Sequence, residues 1–142
     1  MIRRKFFAAL LLVLAAAGFA GDAGWLVVNI SSSAPAGVYI AAAGPPAAGD
    51  YVVFDWGRRP RLLKKVVAVA GDEYVVTGDT VVVAGEEFRR QSDVPATPGP
   101  GRHVIPAGHV WLAGQGNDSF DSRYFGPVSV EKCRPVRLVF RF

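Results

Sequence analysis

A chain of 142 residues, 51% hydrophobic and 20% charged, has room for one domain and enough apolar content to bury a core, which excludes a disordered chain. The single cysteine, Cys133, excludes an internal disulfide framework and a multi-cysteine zinc site. The formal net charge is +4, but from residue 30 onward 13 Lys+Arg stand against 11 Asp+Glu, and a surplus of about +2 is too weak to mark nucleic acid as a partner.

The chain opens with Arg3, Arg4 and Lys5, followed by an unbroken run of apolar residues and glycine from Phe6 to Ala20. A basic start with an apolar middle is the pattern of an export signal. Two readings compete. A cleaved signal peptide would use Gly18-x-Ala20 as its small-residue cleavage site. An uncleaved anchor would extend through Trp25, Leu26, Val27 and Val28, since roughly 20 residues at about 1.5 Å each cross the hydrocarbon. Asp22 is tolerated near the far interface, whereas a carboxylate at mid-bilayer costs about 3 kcal/mol. The anchor is the preferred reading. Under either one, the basic cluster stays in the cytoplasm and the rest of the chain lies outside. A buried core helix leaves that cluster unexplained. The expected organisation is an anchor or signal segment over 1–28 and one extracytoplasmic domain over 29–142. Long apolar stretches are missing after about residue 30, so a multi-span membrane protein is excluded.

Beyond residue 30 the apolar runs are short and valine-rich. Tyr51–Phe54 follows a Gly49-Asp50 turn, and Leu62–Ala70 ends at Gly71-Asp72. Tyr74–Thr77, Gly78-Asp79 and Thr80–Val83 have the composition of a β-hairpin. Ala96–Gly101, with two prolines and two glycines, reads as a loop. His109–Ala113 and Val136–Phe140 are further strand candidates. No convincing helical period appears past the N-terminal segment. The pattern predicts a mainly β domain, antiparallel and partly closed, with little helix.

Three segments have the residues for chemistry. Asn29–Tyr39 places Ser31, Ser32 and Ser33 ahead of Pro35, and taken alone it is equally a polar linker. In the run from Leu62, strand alternation puts Lys64 on a face with Leu62, Val66 and Ala68, and Lys65 on the other with Leu63, Val67 and Val69. One lysine then sits among apolar neighbours. Burial lowers an ammonium's pKa, and a neutral amine can act as a general base. Edge-strand lysines that discourage aggregation are the alternative. Gly114–Pro127 gathers polar and turn residues between two strands, as a functional loop or as a turn held by an Asp121–Arg123 ion pair.

Taken together, the segments resemble the type I signal peptidases, membrane-anchored Ser/Lys proteases. Lys64-Lys65-Val66-Val67-Ala68-Val69-Ala70-Gly71-Asp72 is similar to that family's Lys-Arg-x-x-Gly-x-x-Gly-Asp element. Asn117–Gly126 is similar to its Gly-Asp-Asn-x-x-x-Ser-x-Asp-Ser-Arg-x-Phe-Gly element, and Ser33-x-Pro35-x-Gly37-x-Tyr39 resembles the conjugative-transfer, TraF-type branch rather than the housekeeping Ser-Met-x-Pro form. The resemblance runs from Asn29 to the C-terminus and implies the signal-peptidase type of β-fold. By position it implies Ser33 as nucleophile and Lys64 as general base. Lys65 matches the following basic residue, and Ser119 the serine that holds the base. Asp121 and Arg123 match a structural ion pair, and Ser31 a hydroxyl assisting the oxyanion hole. Lys65 replaces an arginine, Ala70 a proline, and Ala34 a larger apolar residue; Gly114-Gln115-Gly116-Asn117 replaces Gly-Asp-Asn.

The implied reaction is acyl transfer without metal or cofactor. The implied partners are an exported or pilin-like precursor with small residues before the cut, and a lipid bilayer through the N-terminal segment. The implied location is the bacterial inner membrane, with the catalytic domain on its outer side and release to the periplasm if the segment is cleaved. His103 and His109 lack partner motifs, and no Cys-His signature surrounds Cys133. Two other readings remain: a general housekeeping leader peptidase, and a non-catalytic membrane-tethered β-domain binding a secretion partner.

Overall fold

The computed structural model describes residues 26–142. Most of the segment read as anchor or signal, residues 1–25, lies outside the described residues. Among the described residues no helix is long and apolar enough to cross a membrane. Leu26, Val27 and Val28, counted above with the apolar segment, belong instead to a strand.

That strand is β1 (Leu26–Asn29), followed by β2 (Gly37–Ala41), β3 (Tyr51–Phe54), β4 (Leu62–Val69), β5 (Glu73–Thr77) and β6 (Thr80–Val83). Next come β7 (Glu86–Arg89), β8 (Gly101–Val104), β9 (His109–Ala113), the one-turn helix α1 (Ser122–Phe125), β10 (Val128–Ser129) and β11 (Cys133–Arg141). The large sheet has the order β1-β2-β11-β3-β4-β9-β10, the small one β7-β6-β5-β8. Every pairing in both is antiparallel. The domain is therefore mainly β with little helix, as the composition predicts.

Five strand predictions fall on strands with ends shifted by at most one residue. The sixth, Val136–Phe140, lies within a longer strand that begins at Cys133. The hairpin forms with Thr77 opposite Thr80, and Gly78 supplies the positive φ of 54° its turn needs. Gly101, placed in the loop, instead opens β8 and pairs with Val76.

Strand β4 positions the site. It lies between β3 and β9, with Lys64 opposite Val52 and Lys65 opposite both Tyr51 and Ala113. Its pairing with β9 shifts between Val66 and Ala68. The extra residue puts Ala68 on the opposite side from Val66, so strict alternation fails there. Val66 packs with Val52, Leu112 and Val110, whereas Ala68 packs with Tyr74, Val76 and Trp111 beneath the small sheet. Ala68 is thus not on the face of Lys64, contrary to the alternation argument. With the bulge, β4 contributes Leu63, Val66 and Ala68 to three separate core clusters.

Candidate active site

Lys64 is only 4% exposed, although it is a lysine on a strand. Its Nζ donates to Ser119 Oγ at 2.8 Å, a bond inside the protein. Burial pushes its pKa below the ordinary lysine value; the Asp121 carboxylate opposes this, the Arg123 cation adds to it, and Asp118 opposes it again. Burial prevails because the Asp121 charge is already neutralised by Arg123. Lys65, its neighbour on the other face, is exposed. The two lysines are therefore separated by strand pleating alone: one is in solvent, the other where burial disfavours the ammonium.

The loop from Gly114 to Ser119 closes over that amine. A Cβ on Gly114 would lie 2.1 Å from Ser119 Oγ and 3.0 Å from Lys64 Nζ. Glycine is required here for close approach, not for an unusual φ. The loop hangs from a buried ion pair, with Arg123 Nε at 2.8 Å from Asp121 Oδ1 and side-chain exposures of 1% and 0%. Asp121 accepts from Gly114 N at 2.8 Å, while Arg123 donates to the carbonyls of Gly114 at 3.3 Å and Gly116 at 3.2 Å. Asp121 also caps α1 by accepting from Arg123 N. Arg123 reaches the small sheet as well, donating to Arg89 O and lying over the Phe88 ring. Arg90 donates back to Arg123 O. The Gly114-Gln115-Gly116-Asn117 variant of the loop is thus tied down at both ends.

Ser33 sits in the turn between β1 and β2, partly exposed. Its Oγ is 2.9 Å from Ser31 Oγ and 3.4 Å from Leu63 O, next to Lys64 in the chain. Its carbonyl accepts from Gln115 N at 2.8 Å. Ser33 is therefore attached to both elements that hold Lys64, namely β4 and the Gly114 loop. Among the described residues no hydrogen bond joins Lys64 Nζ to Ser33 Oγ. Ser33, Gly114 and Lys65 also line an open cleft of about 370 Å³ whose far wall carries Glu87 and Phe88 of β7.

The Ser31 hydroxyl donates to Asn29 Oδ1 at 2.7 Å and lies 2.9 Å from Ser33 Oγ. Ala34 is buried with Tyr39, Leu63 and Val136, so its small size affects the core rather than the cleft.

The other nucleophile candidates lie elsewhere. Cys133 is buried, its thiol pushed up to about 11 by burial, and it packs with Val52 and Phe54. His103 Nε2 is 2.8 Å from Gly99 O and its ring stacks on Tyr74, and His109 Nδ1 is 2.9 Å from Ala107 O. Among the described residues no cluster of His, Cys, Asp and Glu could hold a metal ion.

Three contributors escape a reading of the sequence. Gly114 needs the three-dimensional approach of Ser119 to be noticed. Ser122, whose hydroxyl accepts from Leu112 N at 2.8 Å, is hidden inside a polar run. Asn29 is 6% exposed at the end of an apolar strand, and that one polar interruption is its only signal.

The family model for signal peptidase, peptidase S26, matches residues 1–135. The plasmid transfer protein TraF of Escherichia coli is 30% identical over 163 aligned residues, covering 88% of this chain and 88% of that protein. The crystal structure of a signal peptidase I from Enterococcus faecalis V583 aligns with a TM-score of 0.46 at 20% identity, over 68% of this chain and 99% of that one.

Proposed function

The chain belongs to the signal peptidase family, peptidase S26, in its TraF-type branch, and from that premise we propose that it is a membrane-anchored endopeptidase using a Ser33/Lys64 dyad. Its substrates are exported precursors with small residues before the cut, including a pilin-like protein of a conjugative transfer system. The observation that carries the dyad is the buried Lys64 amine, held by Ser119 and lowered in pKa by burial, one residue from the carbonyl that Ser33 contacts.

In this mechanism the substrate lies in the cleft beside Ser33 and excludes water from Lys64. The neutral amine takes the Ser33 proton as Oγ bonds to the scissile carbonyl carbon. The Ser33 backbone N–H faces the developing oxyanion, and one such donor is typically worth about 3 kcal/mol. Collapse breaks the C–N bond, and Lys64 returns the proton to the leaving amine. Water, deprotonated by Lys64, then attacks the acyl-Ser33 ester, and Lys64 returns that proton to Ser33 Oγ as the C–O bond breaks. The N-terminal segment places this domain on the outer face of the cytoplasmic membrane, where such precursors emerge.

The test is cleavage of a precursor peptide with small residues before the cut by the full-length chain in detergent. Wild type is expected to cleave, and folded Ser33→Ala and Lys64→Ala are not. Cleavage retained by either variant contradicts the dyad.

A further inference from the structure

Asn29 lies four residues before the proposed nucleophile, and its amide organises the whole turn. Nδ2 donates to Ala34 O at 2.9 Å and to Ser31 O and Pro35 O at 3.2 Å each. Oδ1 accepts from Ser31 N at 3.1 Å and from Ser31 Oγ at 2.7 Å. Carbonyls surround one end of the amide, and a backbone N–H and a hydroxyl the other, so a flipped amide would keep only a bond to the Ser31 hydroxyl.

Proton counting follows from this orientation. Ser31 has one hydroxyl proton, and Asn29 Oδ1 takes it. The 2.9 Å contact between Ser31 and Ser33 then has one direction, with Ser33 donating. The contact of Ser33 with Leu63 O, at 3.4 Å, is too long to compete. A chain of hydrogen bonds runs from the Ser33 hydroxyl through Ser31 to Asn29. The same amide holds the carbonyls of Ala34 and Pro35, which follow the nucleophile, and so fixes the backbone on both sides of Ser33.

We infer that Asn29 is a positioning residue for the nucleophile: acting through Ser31, it fixes the rotamer and hydroxyl direction of Ser33. Ser31 serves as the acceptor in this chain. In the resting site the Ser33 proton is parked on Ser31, and it turns to the Lys64 amine when substrate fills the cleft. Asn29 itself touches neither substrate nor reacting atoms. This inference rests on the Ser33/Lys64 reading.

The experiment measures kcat and KM of the full chain on a precursor peptide for wild type, Asn29→Ala, Ser31→Ala, the double variant and Asn29→Asp, with Ser33→Ala alongside. Misplacing a nucleophile by about 1 Å can cost on the order of a hundredfold. Asn29→Ala is expected to lower kcat by roughly ten- to a hundredfold with KM within about twofold. The double variant is expected to lose far less than the product of the two single losses, because both changes cut one chain. Asn29→Asp keeps an acceptor for both Ser31 bonds but loses the three donated to carbonyls, so it is expected to recover only part of the lost kcat. If Asn29→Ala does not fold, Ser31→Ala carries the test, with kcat expected to fall by roughly tenfold and KM within about twofold. Multiplicative losses, an effect on KM alone, or a Ser31→Ala kcat equal to that of wild type would overturn the inference. Cleavage by Ser33→Ala would instead overturn the dyad on which it rests.

Discussion

Lys64 Nζ and Ser119 Oγ are 2.8 Å apart inside the protein, although 55 residues separate them in the chain. Their contact depends on Gly114, where an added Cβ would fall 2.1 Å from the serine oxygen. Ser119→Ala should lower kcat by about tenfold or more, the scale of a hydrogen bond to a functional group, with little change in KM. Gly114→Ala should reproduce that loss while Ser119 is still present, since the methyl displaces its hydroxyl. Steady-state kinetics of the two variants check this, and a Gly114→Ala enzyme with wild-type kcat contradicts it.

The two adjacent lysines should separate cleanly. Lys65 is exposed and Lys64 buried on opposite faces of β4. Lys65→Ala is expected to keep kcat within about tenfold of wild type, while Lys64→Ala loses most of its rate, because removing one member of a cooperating pair removes most of the benefit of both. The opposite result would put the base one residue along the chain.

Legibility in the sequence tracks how locally each feature is determined. Strands β3, β4, β5, β6 and β9 were readable because valine-rich runs end at Gly-Asp turns or polar clusters. Strand β7 was not, because Glu86-Glu87-Phe88-Arg89 is polar and its hairpin turns on Ala84-Gly85 rather than Asn-Gly. Ala84 nevertheless adopts a φ of 51° there, a left-handed conformation with a cost that the sequence does not announce. Leu26–Val28 read as membrane because three apolar residues next to an apolar run look alike whether lipid or strand β2 covers them. Ser33, Lys64, Ser119, Asp121 and Arg123 could be picked out by motif, and their placement around Gly114 could not. The Asn29 chain of hydrogen bonds depends on one side chain folding back over its own turn, which no spacing rule encodes.

Burial of Lys64 should cost stability. Its folded pKa lies below the ordinary lysine value of 10.5, so between those two pKa values the unfolded chain binds the extra proton. Stability contributed at this site therefore rises with pH across that window, and below it the penalty stays at its full value. Lys64→Met removes the buried amine and fills similar space. It should raise the thermal midpoint at neutral pH by about 3–6 °C while abolishing cleavage. Thermal melts of the two proteins across pH check this, with the difference shrinking as pH approaches 10.5. A destabilised Lys64→Met would indicate that the amine contributes net favourable bonds.

The Asp121–Arg123 pair should act in the opposite direction. Asp121→Ala leaves the Arg123 guanidinium, 1% exposed, without its carboxylate. The expected loss is about 3–5 kcal/mol of unfolding free energy, read from denaturant midpoints. Activity should fall with it, because Gly114 N loses its acceptor. A loss under about 1 kcal/mol would mean the pair behaves like an exposed one.

The measurement closest to the central claim is the rate of acyl-enzyme formation as a function of pH, with the adduct located by acid quench and peptide mapping. The account predicts an acyl group on Ser33 whose formation accelerates with pH through a midpoint below the ordinary lysine value of about 10.4, as the Lys64 amine loses its proton. An adduct on another residue, a midpoint at that ordinary value, or a midpoint near 6.5 that disappears on substitution of His103 or His109 would contradict it.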